Sequence, residues 1–506
     1  MVFSSQVFLF LFLPLVLCLY LVLGRWFRNL VLLTASLFFY AWGEQEVVLL
    51  MLASIAGNYA FGRWLGATLE RGARAKGVVA LSLVFNLGLL VVFKYANWIW
   101  RTLSDLSETL GLSPEGWPAI GEVCGPVLMA MGLIESPLAA DWEIRLPIGI
   151  SFFTFQAMSY VLDIYRREAQ VQKNPIHFAT YIALFPQLIA GPIVRYRDIA
   201  LQLVERTVTL AGFSYGVRRF VVGLGKKMLI ANIVALQADR IFELPLEQIS
   251  APLAWFGTLC YTLQIYFDFS GYSDMAIGLG HMFGFRFLEN FNFPYISRSI
   301  TEFWRRWHIS LSSWYRDYLY IPLGGNRCSP LRVYCNLLIV FVLCGLWHGA
   351  SWSFLVWGLY HGLFLVLERL GLRRSLEKLP SPLRHAYTLV VVMIGWVFFR
   401  ATDLEQALGL LGTMAGMGAE GAARLHPVGL FIDPVLALAL VAGCIGSIPW
   451  VRALGQRYER LRSEGRGAGQ CLTMDAAAFL SVVLIFLLSA MEMSANTYNP
   501  FIYFRF

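Results

Sequence analysis

The sequence predicts an all-α fold, a polytopic bundle of transmembrane helices in which residues 1–506 form a single integral membrane domain. The chain is 58% hydrophobic and only 14% charged, whereas soluble domains carry about 25% charged residues. Its mean hydropathy is +0.61. Apolar segments of about 20 residues, long enough to cross a bilayer, recur along the chain. Together these observations favour one membrane-embedded bundle over several soluble domains.

The apolar segments predict about 11 to 13 membrane spans, together with re-entrant or interfacial helices. Pro186 and the pair Gly191-Pro192 interrupt the segment 178–194, so we expect it to re-enter the membrane without crossing. Broken backbone is tolerated at this depth where protein or a cavity satisfies it. The candidate spans are residues 5–23, 29–41, 47–62, 77–99, 147–165, 178–194, 212–237, 251–281, 334–347, 351–371, 386–400, 430–450 and 475–494.

Loop charges predict the orientation of these spans. Basic residues follow the first, third and fifth spans and fill three later loops, whereas the intervening loops are acidic or neutral. Because cytoplasmic loops retain positive charge, the alternation predicts a periplasmic N-terminus and a cytoplasmic loop at 298–333. The first segment has neither a basic n-region nor an A-x-A site, so we expect a retained span. The protein would be a multi-pass protein of the bacterial inner membrane, in contact with its lipids.

On this map residues 101–145 form a periplasmic loop. The loop holds seven acidic residues against two arginines. A small amphipathic cap for an external partner is one interpretation, and the sequence leaves it open.

Composition and motifs exclude several classes of function. The net charge of +8 comes from 40 basic against 32 acidic residues, and we assign it to cytoplasmic loops, with no nucleic-acid partner. The eight cysteines form no CxxC pair and are expected to be small core residues. HExxH, G-x-S-x-G and P-loop motifs are absent from the sequence. His308, His348 and His361 lack metal-ligand spacing on one element, so no metal site is predicted.

The densest polar and aromatic stretch runs from Phe267 to His348. Within it, the pattern over Thr301 to Arg316 predicts one helix capped by Thr301. Its apolar stripe consists of Phe303, Trp307, Leu311 and Trp314. Arg305 and Arg306 lie off this stripe. They suit the phosphates of a coenzyme or an acidic carrier protein, and equally an interfacial anchor with no further role.

Two histidines in this stretch are the candidate catalytic residues. His308 adjoins the apolar stripe, and a lone histidine in such a place is more often a hydrogen-bonded core group. His348 ends an apolar run, where ionisable groups are costly and usually functional. Burial there favours the neutral imidazole that a general base requires. Gly349 lacks a side chain, which would let a substrate approach His348 closely.

Two carboxylates, Asp268 and Asp274, lie in the apolar span 251–281 and need partners. Arg305 and Arg306, or the nearby tyrosines, are candidate partners. Orienting a histidine is one possible role, and a structural ion pair is the slightly favoured alternative.

The motifs as a group resemble a known family. The chain resembles the membrane-bound O-acyltransferase family in four motifs, FDFSGYSDMAIGLG, FNFPY, EFWRRWHISLSSWYRDYLYIPLGGNR and LWHGASW. The segment FPQLIAGPIVRY at 185–196 resembles the bacterial alginate O-acetyltransferase branch of this family. The resemblance is strongest over a core of residues 180–365. It implies a helix bundle around a central tunnel, with an acyl donor entering from the cytoplasm. It also implies that His348, in a WHG motif, is catalytic and that His308, in RWHISLS, is the second residue.

The resemblance leads to three hypotheses about function. The first is O-acetylation of an exopolysaccharide such as alginate, with cytoplasmic acetyl-CoA or an acyl-carrier thioester as donor and no permanently bound cofactor. Periplasmic acetyltransferase proteins and the polysaccharide acceptor would be the partners. The second is D-alanyl transfer to teichoic acid or peptidoglycan O-acetylation, and the third is a transporter or channel without chemistry. Donor-binding or supporting roles are predicted for Asp268, Asp274, Asn290, Trp304, Arg305, Arg306 and Trp307.

Overall fold

The computed structural model of the chain describes residues 1–112, 117–130, 142–418, 421–463, 468–495 and 498. Throughout these ranges the regular structure is helical, and no strand occurs in them. The prediction of an all-α polytopic bundle is confirmed. The predicted loop at 101–145 is described only in part, because 113–116 and 131–141 lie outside these ranges.

Seven helices in the described ranges are long and apolar enough to cross a membrane. They are Arg28–Glu70, Lys76–Thr109, Leu210–Phe242, Pro330–His348, Trp352–Glu377, Ser381–Arg400 and Gly469–Ala495. Two shorter apolar helices are Phe8–Val22 and Pro434–Gly446. The remaining helices are Ile120–Ala130, Ile150–Tyr165, Pro175–Ala183, Phe185–Leu188, Tyr196–Val204, Ala251–Met282, Ile300–Arg306, Ile309–Tyr315, Leu404–Gly412, Ala422–Leu425 and Trp450–Ser463.

Twelve of the thirteen candidate spans fall largely within helix in the structure, and 178–194 is the exception. Two short helices replace a continuous span there, and the chain is buried from Phe178 to Tyr196 except for one half-buried residue. Burial inside protein is the condition under which broken backbone is tolerated at membrane depth. The number of crossings, 11 to 13, and the single-domain organisation stay predictions.

Helix Ala251–Met282 is the central element, buried along nearly all of its length. Helix Leu210–Phe242 packs on it through glycines. A Cβ on Gly278 would lie 2.6 Å from the carbonyl oxygen of Gly216, and one on Gly271 would lie 2.8 Å from that of Gly223. Two backbones in direct contact are the usual reason for small residues at membrane helix interfaces. This close approach lets basic side chains of one helix reach acidic side chains of the other.

The helix predicted over Thr301 to Arg316 is divided in two, so the continuous helix is wrong. Ile300–Arg306 and Ile309–Tyr315 are separate helices, with Trp307 and His308 between them. Thr301 is not the cap either. The Ser299 side chain accepts the N–H of Glu302 at 3.0 Å, because the Thr301 hydroxyl is occupied by the buried carboxylate of Glu368 at 2.6 Å.

Candidate active site

His308 lies at the break between the two short helices. Its backbone is left-handed, with φ of 44°, a conformation that is strained for a residue with a Cβ. The main-chain N–H of Ile309 donates to the Asn290 carbonyl at 2.9 Å, which holds the break against the preceding loop. A regular helix could not make this bond, since its N–H groups point along the helix axis. The break therefore turns the His308 side chain into the interior.

The side chain of Asn290 sets the tautomer of His308. Its Oδ1 lies 3.0 Å from His308 Nδ1 and 2.8 Å from the Ser310 hydroxyl. Its Nδ2 donates to Ser273 Oγ at 3.0 Å, which fixes the orientation of the amide. Because the amide oxygen only accepts, Nδ1 must carry the proton. Nε2 is left with a lone pair, and it is buried without a hydrogen-bond partner among the described residues.

Burial lowers the pKa of His308 to about 3. Desolvation disfavours the charged imidazolium, and no carboxylate offsets this effect at the ring. His308 is thus a neutral imidazole with one available proton-accepting nitrogen.

His348 is the last residue of helix Pro330–His348 and is 4% exposed. Three aromatic rings surround its imidazole edge-on, those of Trp347 at 4.9 Å, Trp357 at 5.1 Å and Phe399 at 5.1 Å between centroids. The prediction that Gly349 lets a substrate approach His348 is wrong. A Cβ on Gly349 would collide with the ring of Phe354, so the glycine makes room for an aromatic side chain and not for a substrate.

The structure brings the two histidines together. Their ring centroids lie 6.5 Å apart, although 40 residues separate them in the sequence. The His308 ring also contacts Phe269 edge-on at 4.6 Å. At this separation the two imidazoles make no direct hydrogen bond to each other.

His348 lines two cavities. One has aromatic walls and includes Trp307, Trp357, Trp396 and Phe399. The other is lined by Lys94, Ser151, Phe152 and Trp347, together with neighbouring residues of the chain before helix Ile150–Tyr165. His348 therefore lines both cavities, which share no other residue. A continuous tunnel between them stays a prediction.

The residues predicted to bind the acyl donor lie in two places, the protein interior and a basic cavity. Trp304 and Trp307 point inward, with rings 5.7 Å from Trp357 and 4.9 Å from Trp396. Arg305 and Arg306 line a cavity of about 550 Å³. The charged residues around this cavity, termed the basic cavity, are Arg298, Glu302, Arg305, Arg306, Arg373, Glu377 and Arg384.

Asp268 and Asp274 pair with residues other than those expected. Asp268 lies 2.7 Å from Lys227, and Asp274 lies 2.7 Å from Lys226 and 2.6 Å from Arg219. These bases belong to helix Leu210–Phe242, which the glycine contacts bring alongside. The predicted partners, the two arginines of the RRWH motif, are wrong. Supporting roles for both carboxylates stay predictions.

Several residues at the site were not predicted. Lys94 is the one with a signal in the sequence, as a lone lysine within the apolar segment 77–99. Trp357, Trp396 and Phe399 carry no such signal. They come from two later helices and are ordinary apolar residues until the fold places them at His348.

The fold and the site together define a class of protein. It is a multi-pass membrane protein with two buried imidazoles at the junction of aromatic and polar cavities, and with a separate arginine-rich cavity near the RRWH motif. Two imidazoles in a water-poor interior are suited to proton transfer during group transfer.

The comparisons with known proteins identify the family. The model of the membrane-bound O-acyltransferase family (MBOAT) matches residues 85–401. The chain is 41% identical to "Probable alginate O-acetylase AlgI" of Pseudomonas putida and 41% identical to that of Azotobacter vinelandii, in each case over 100% of both chains. It is 35% identical to "Peptidoglycan O-acetyltransferase" of Helicobacter pylori, over 82% of this chain and 80% of the relative. The chain belongs to the membrane-bound O-acyltransferase family and is an O-acyltransferase that uses an acyl donor.

Proposed function

We propose that this enzyme acetylates an exopolysaccharide such as alginate, taking acetyl from cytoplasmic acetyl-CoA and delivering it on the periplasmic side of the inner membrane. The observation that carries the proposal is the pair His308–His348, 6.5 Å apart inside a chain whose relatives along its whole length are named alginate O-acetylases. The acceptor is the polysaccharide, reached directly or through periplasmic acetyltransferase partners. The N-terminus lies in the periplasm.

The basic cavity supports a donor that carries phosphates. It contains five arginines and two glutamates, a net charge of 5 − 2 = +3. Glu302 pairs with Arg306 and Glu377 pairs with Arg373. Arg298, Arg305 and Arg384 form no ion pair within the described ranges. Unpaired guanidinium groups around one cavity suit the phosphates of a coenzyme, which they can bind by bidentate hydrogen bonds.

The far end of this cavity lies well away from His348, which suits a donor with a long arm. Arg384 lines the basic cavity and Trp396 lines the aromatic cavity at His348. They are 12 residues apart on helix Ser381–Arg400, about 18 Å along its axis. A thioester at the end of the pantetheine arm of coenzyme A or of a carrier protein can span this distance while its phosphate stays at the arginines.

The chemistry assigned to the site is direct acyl transfer. His348 removes the proton of the acceptor hydroxyl as its oxygen attacks the thioester carbonyl carbon. The C–S bond then breaks, and the imidazolium gives this proton to the leaving sulfur, so that the donor leaves as a thiol. His308 shares the proton transfer through Nε2, because its Nδ1 proton is already donated to Asn290. Activation of the thioester carbonyl by His308 is disfavoured, since Nε2 carries no proton to donate in this tautomer. A covalent acyl-enzyme is the alternative route.

Histidine variants and labelled acetyl-CoA test the proposal. Purified His348→Ala and His308→Ala should insert normally but lose transfer to polysaccharide by about 10² to 10⁴-fold, the usual contribution of acid–base catalysis. His177→Ala, which alters a half-buried histidine on helix Pro175–Ala183, is the matched control. Wild-type activity in His348→Ala would overturn the assignment. Label retained on acid-quenched protein would instead indicate an acyl-enzyme.

Donor and acceptor panels distinguish the remaining alternatives. Acetyl-CoA, acetyl-pantetheine and a D-alanyl carrier protein are offered as donors, with alginate and peptidoglycan fragments as acceptors. D-alanyl transfer is less favoured, because the relatives aligned over the whole chain are named acetylases. A transporter without chemistry is excluded by membership of an acyltransferase family.

A further inference from the structure

Lys94 is a buried lysine within the membrane-spanning helix Lys76–Thr109. An ionisable group at this depth is costly and calls for a specific partner. Its Nζ makes a very short hydrogen bond to the carbonyl oxygen of Trp347 and lies 3.2 Å from that of His348 and 3.1 Å from Ser151 Oγ. An ammonium group has three protons, and these three oxygens can accept all of them.

The carbonyls that Lys94 binds belong to the last turn of helix Pro330–His348. The final carbonyls of a helix have no partner inside the helix. Tyr95 donates its hydroxyl to the next one back, that of Leu346, at 2.7 Å. Lys94 and Tyr95 thus hold three consecutive carbonyls of the turn that carries the catalytic imidazole. Their own turn, Val91–Tyr95, is a wide π-helical turn, a feature that is common at functional sites.

The charge of Lys94 has no acidic partner in the described part of the chain. The other buried lysine of the bundle core, Lys227, forms an ion pair with Asp268 at 2.7 Å. Lys94 instead binds neutral oxygens and lines the same cavity as His348. The ammonium form of Lys94, which these neutral oxygens stabilise, places a positive charge in a water-poor cavity, where it stabilises negative charge that develops during a reaction.

We propose that Lys94 is a positioning residue for His348 and, in its ammonium form, the cation that favours the anionic tetrahedral state of acyl transfer. The inference rests on the proposed function, because it assumes that His348 acts on the acyl group. Lys94 binds the main-chain carbonyls of Trp347 and His348, so it fixes the position of the His348 imidazole.

Substitutions at Lys94 separate charge from hydrogen bonding. Lys94→Gln keeps donors but removes the charge, and it should lower kcat by about 10-fold or more, because the charge acts on the oxyanion through space and not through a hydrogen bond. The KM for acetyl-CoA should stay within about 2-fold, because the donor phosphates bind elsewhere. Lys94→Arg should restore part of kcat. Tyr95→Phe removes a carbonyl bond of the same helix end without changing charge, and its loss of kcat should be much smaller.

A second variant decides the outcome if Lys94→Gln does not accumulate in membranes. Ser151→Asp keeps Lys94 and its carbonyl bonds but places a carboxylate beside its ammonium group. It should lower kcat by about 10-fold or more, and the neutral Ser151→Asn should lower it less. Equal kcat in these two variants, or equal losses in Lys94→Gln and Tyr95→Phe, would overturn the inference. Failure of the proposed function itself would appear separately, as activity in His348→Ala.

Discussion

Asn290 holds His308 through a 3.0 Å contact between its Oδ1 and the Nδ1 of the imidazole, and the carbonyl of the same asparagine binds the next residue of the chain at 2.9 Å. One residue therefore fixes both the backbone break that turns His308 inward and the tautomer that exposes Nε2. The arrangement resembles the general one in which a partner on one imidazole nitrogen prepares the other nitrogen for proton transfer. It makes Asn290 a positioning residue with a defined chemical role.

The first prediction concerns this contact. Asn290→Ala removes the acceptor of the Nδ1 proton and should lower kcat by about 10² to 10³-fold, because the imidazole loses its tautomer and direction. Asn290→Asp keeps an acceptor at the same place and should retain more activity than Asn290→Ala at neutral pH. Transfer rates of membrane-inserted protein measure both. Equal loss in the two variants would show that the asparagine supports packing only.

The second prediction concerns pH. The ordinary pKa of histidine is 6.5, and burial lowers that of His308 to about 3. The neutral, proton-accepting form therefore persists below pH 6.5, so protonation of His308 should not reduce the rate between pH 6.5 and 5. In the same range the unfolded chain binds a proton that the folded chain does not, so His308 makes the folded state less stable as pH falls below 6.5. A rate profile and thermal unfolding in detergent over pH 5 to 8 measure the two effects.

Asn290→Asp changes this profile in a defined direction. A carboxylate beside the ring favours the imidazolium, which raises the pKa of His308. The acidic limb of the rate profile should then move upward toward neutral pH relative to the wild type. An unchanged limb would mean that another group limits the rate at low pH.

The sequence predicted the helical bundle well and the site only in part. Apolar segments identified the helices because membrane spans depend on composition over about 20 residues, a local property. The motif histidines were predicted from burial and from resemblance. Asn290 was predicted as a supporting residue, but its hydrogen bond to His308 was not, since it depends on a loop meeting a helix break 18 residues away.

The other incorrect predictions also concern features that depend on contacts between elements distant in the sequence. The residues from Thr301 to Arg316 have a helical apolar stripe, and the local pattern favours one helix. Tertiary bonds from Asn290 and Glu368 divide it and replace its cap. The arginines of the RRWH motif and the nearby tyrosines were candidate partners for Asp268 and Asp274, whereas glycine contacts bring the bases of a different helix to these carboxylates. Contacts between distant elements decide each of these features.

The third prediction distinguishes a structural from a catalytic role for Asp268. The side chains of Asp268 and Lys227 are 2% and 4% exposed, and they form a 2.7 Å ion pair. Asp268→Asn leaves a buried cation poorly compensated and should destabilise the fold by about 3 to 5 kcal/mol. The double variant Asp268→Asn/Lys227→Met should recover most of this loss.

Thermal unfolding in detergent measures the stability of these variants. Transfer measured below the unfolding temperature should stay near that of the wild type in the double variant. A stable double variant without activity would assign Asp268 to catalysis.

The last prediction concerns how the donor binds. Arg305 lines the basic cavity without an ion pair in the described ranges, so Arg305→Gln should raise the KM for acetyl-CoA by about 10-fold, the loss of one charge-assisted contact to phosphate. Its kcat should change little, because Arg305 would contact the phosphates of the donor and not its thioester. Acetyl-pantetheine has no nucleotide phosphates, so its KM should be the same in the wild type and in Arg305→Gln.

The matched control is Arg327→Gln, which alters an exposed arginine of the same loop outside the cavity. Equal increases in KM for both donors would mean that Arg305 supports the fold of the RRWH segment, and equal increases in both arginine variants would indicate a general effect of surface charge.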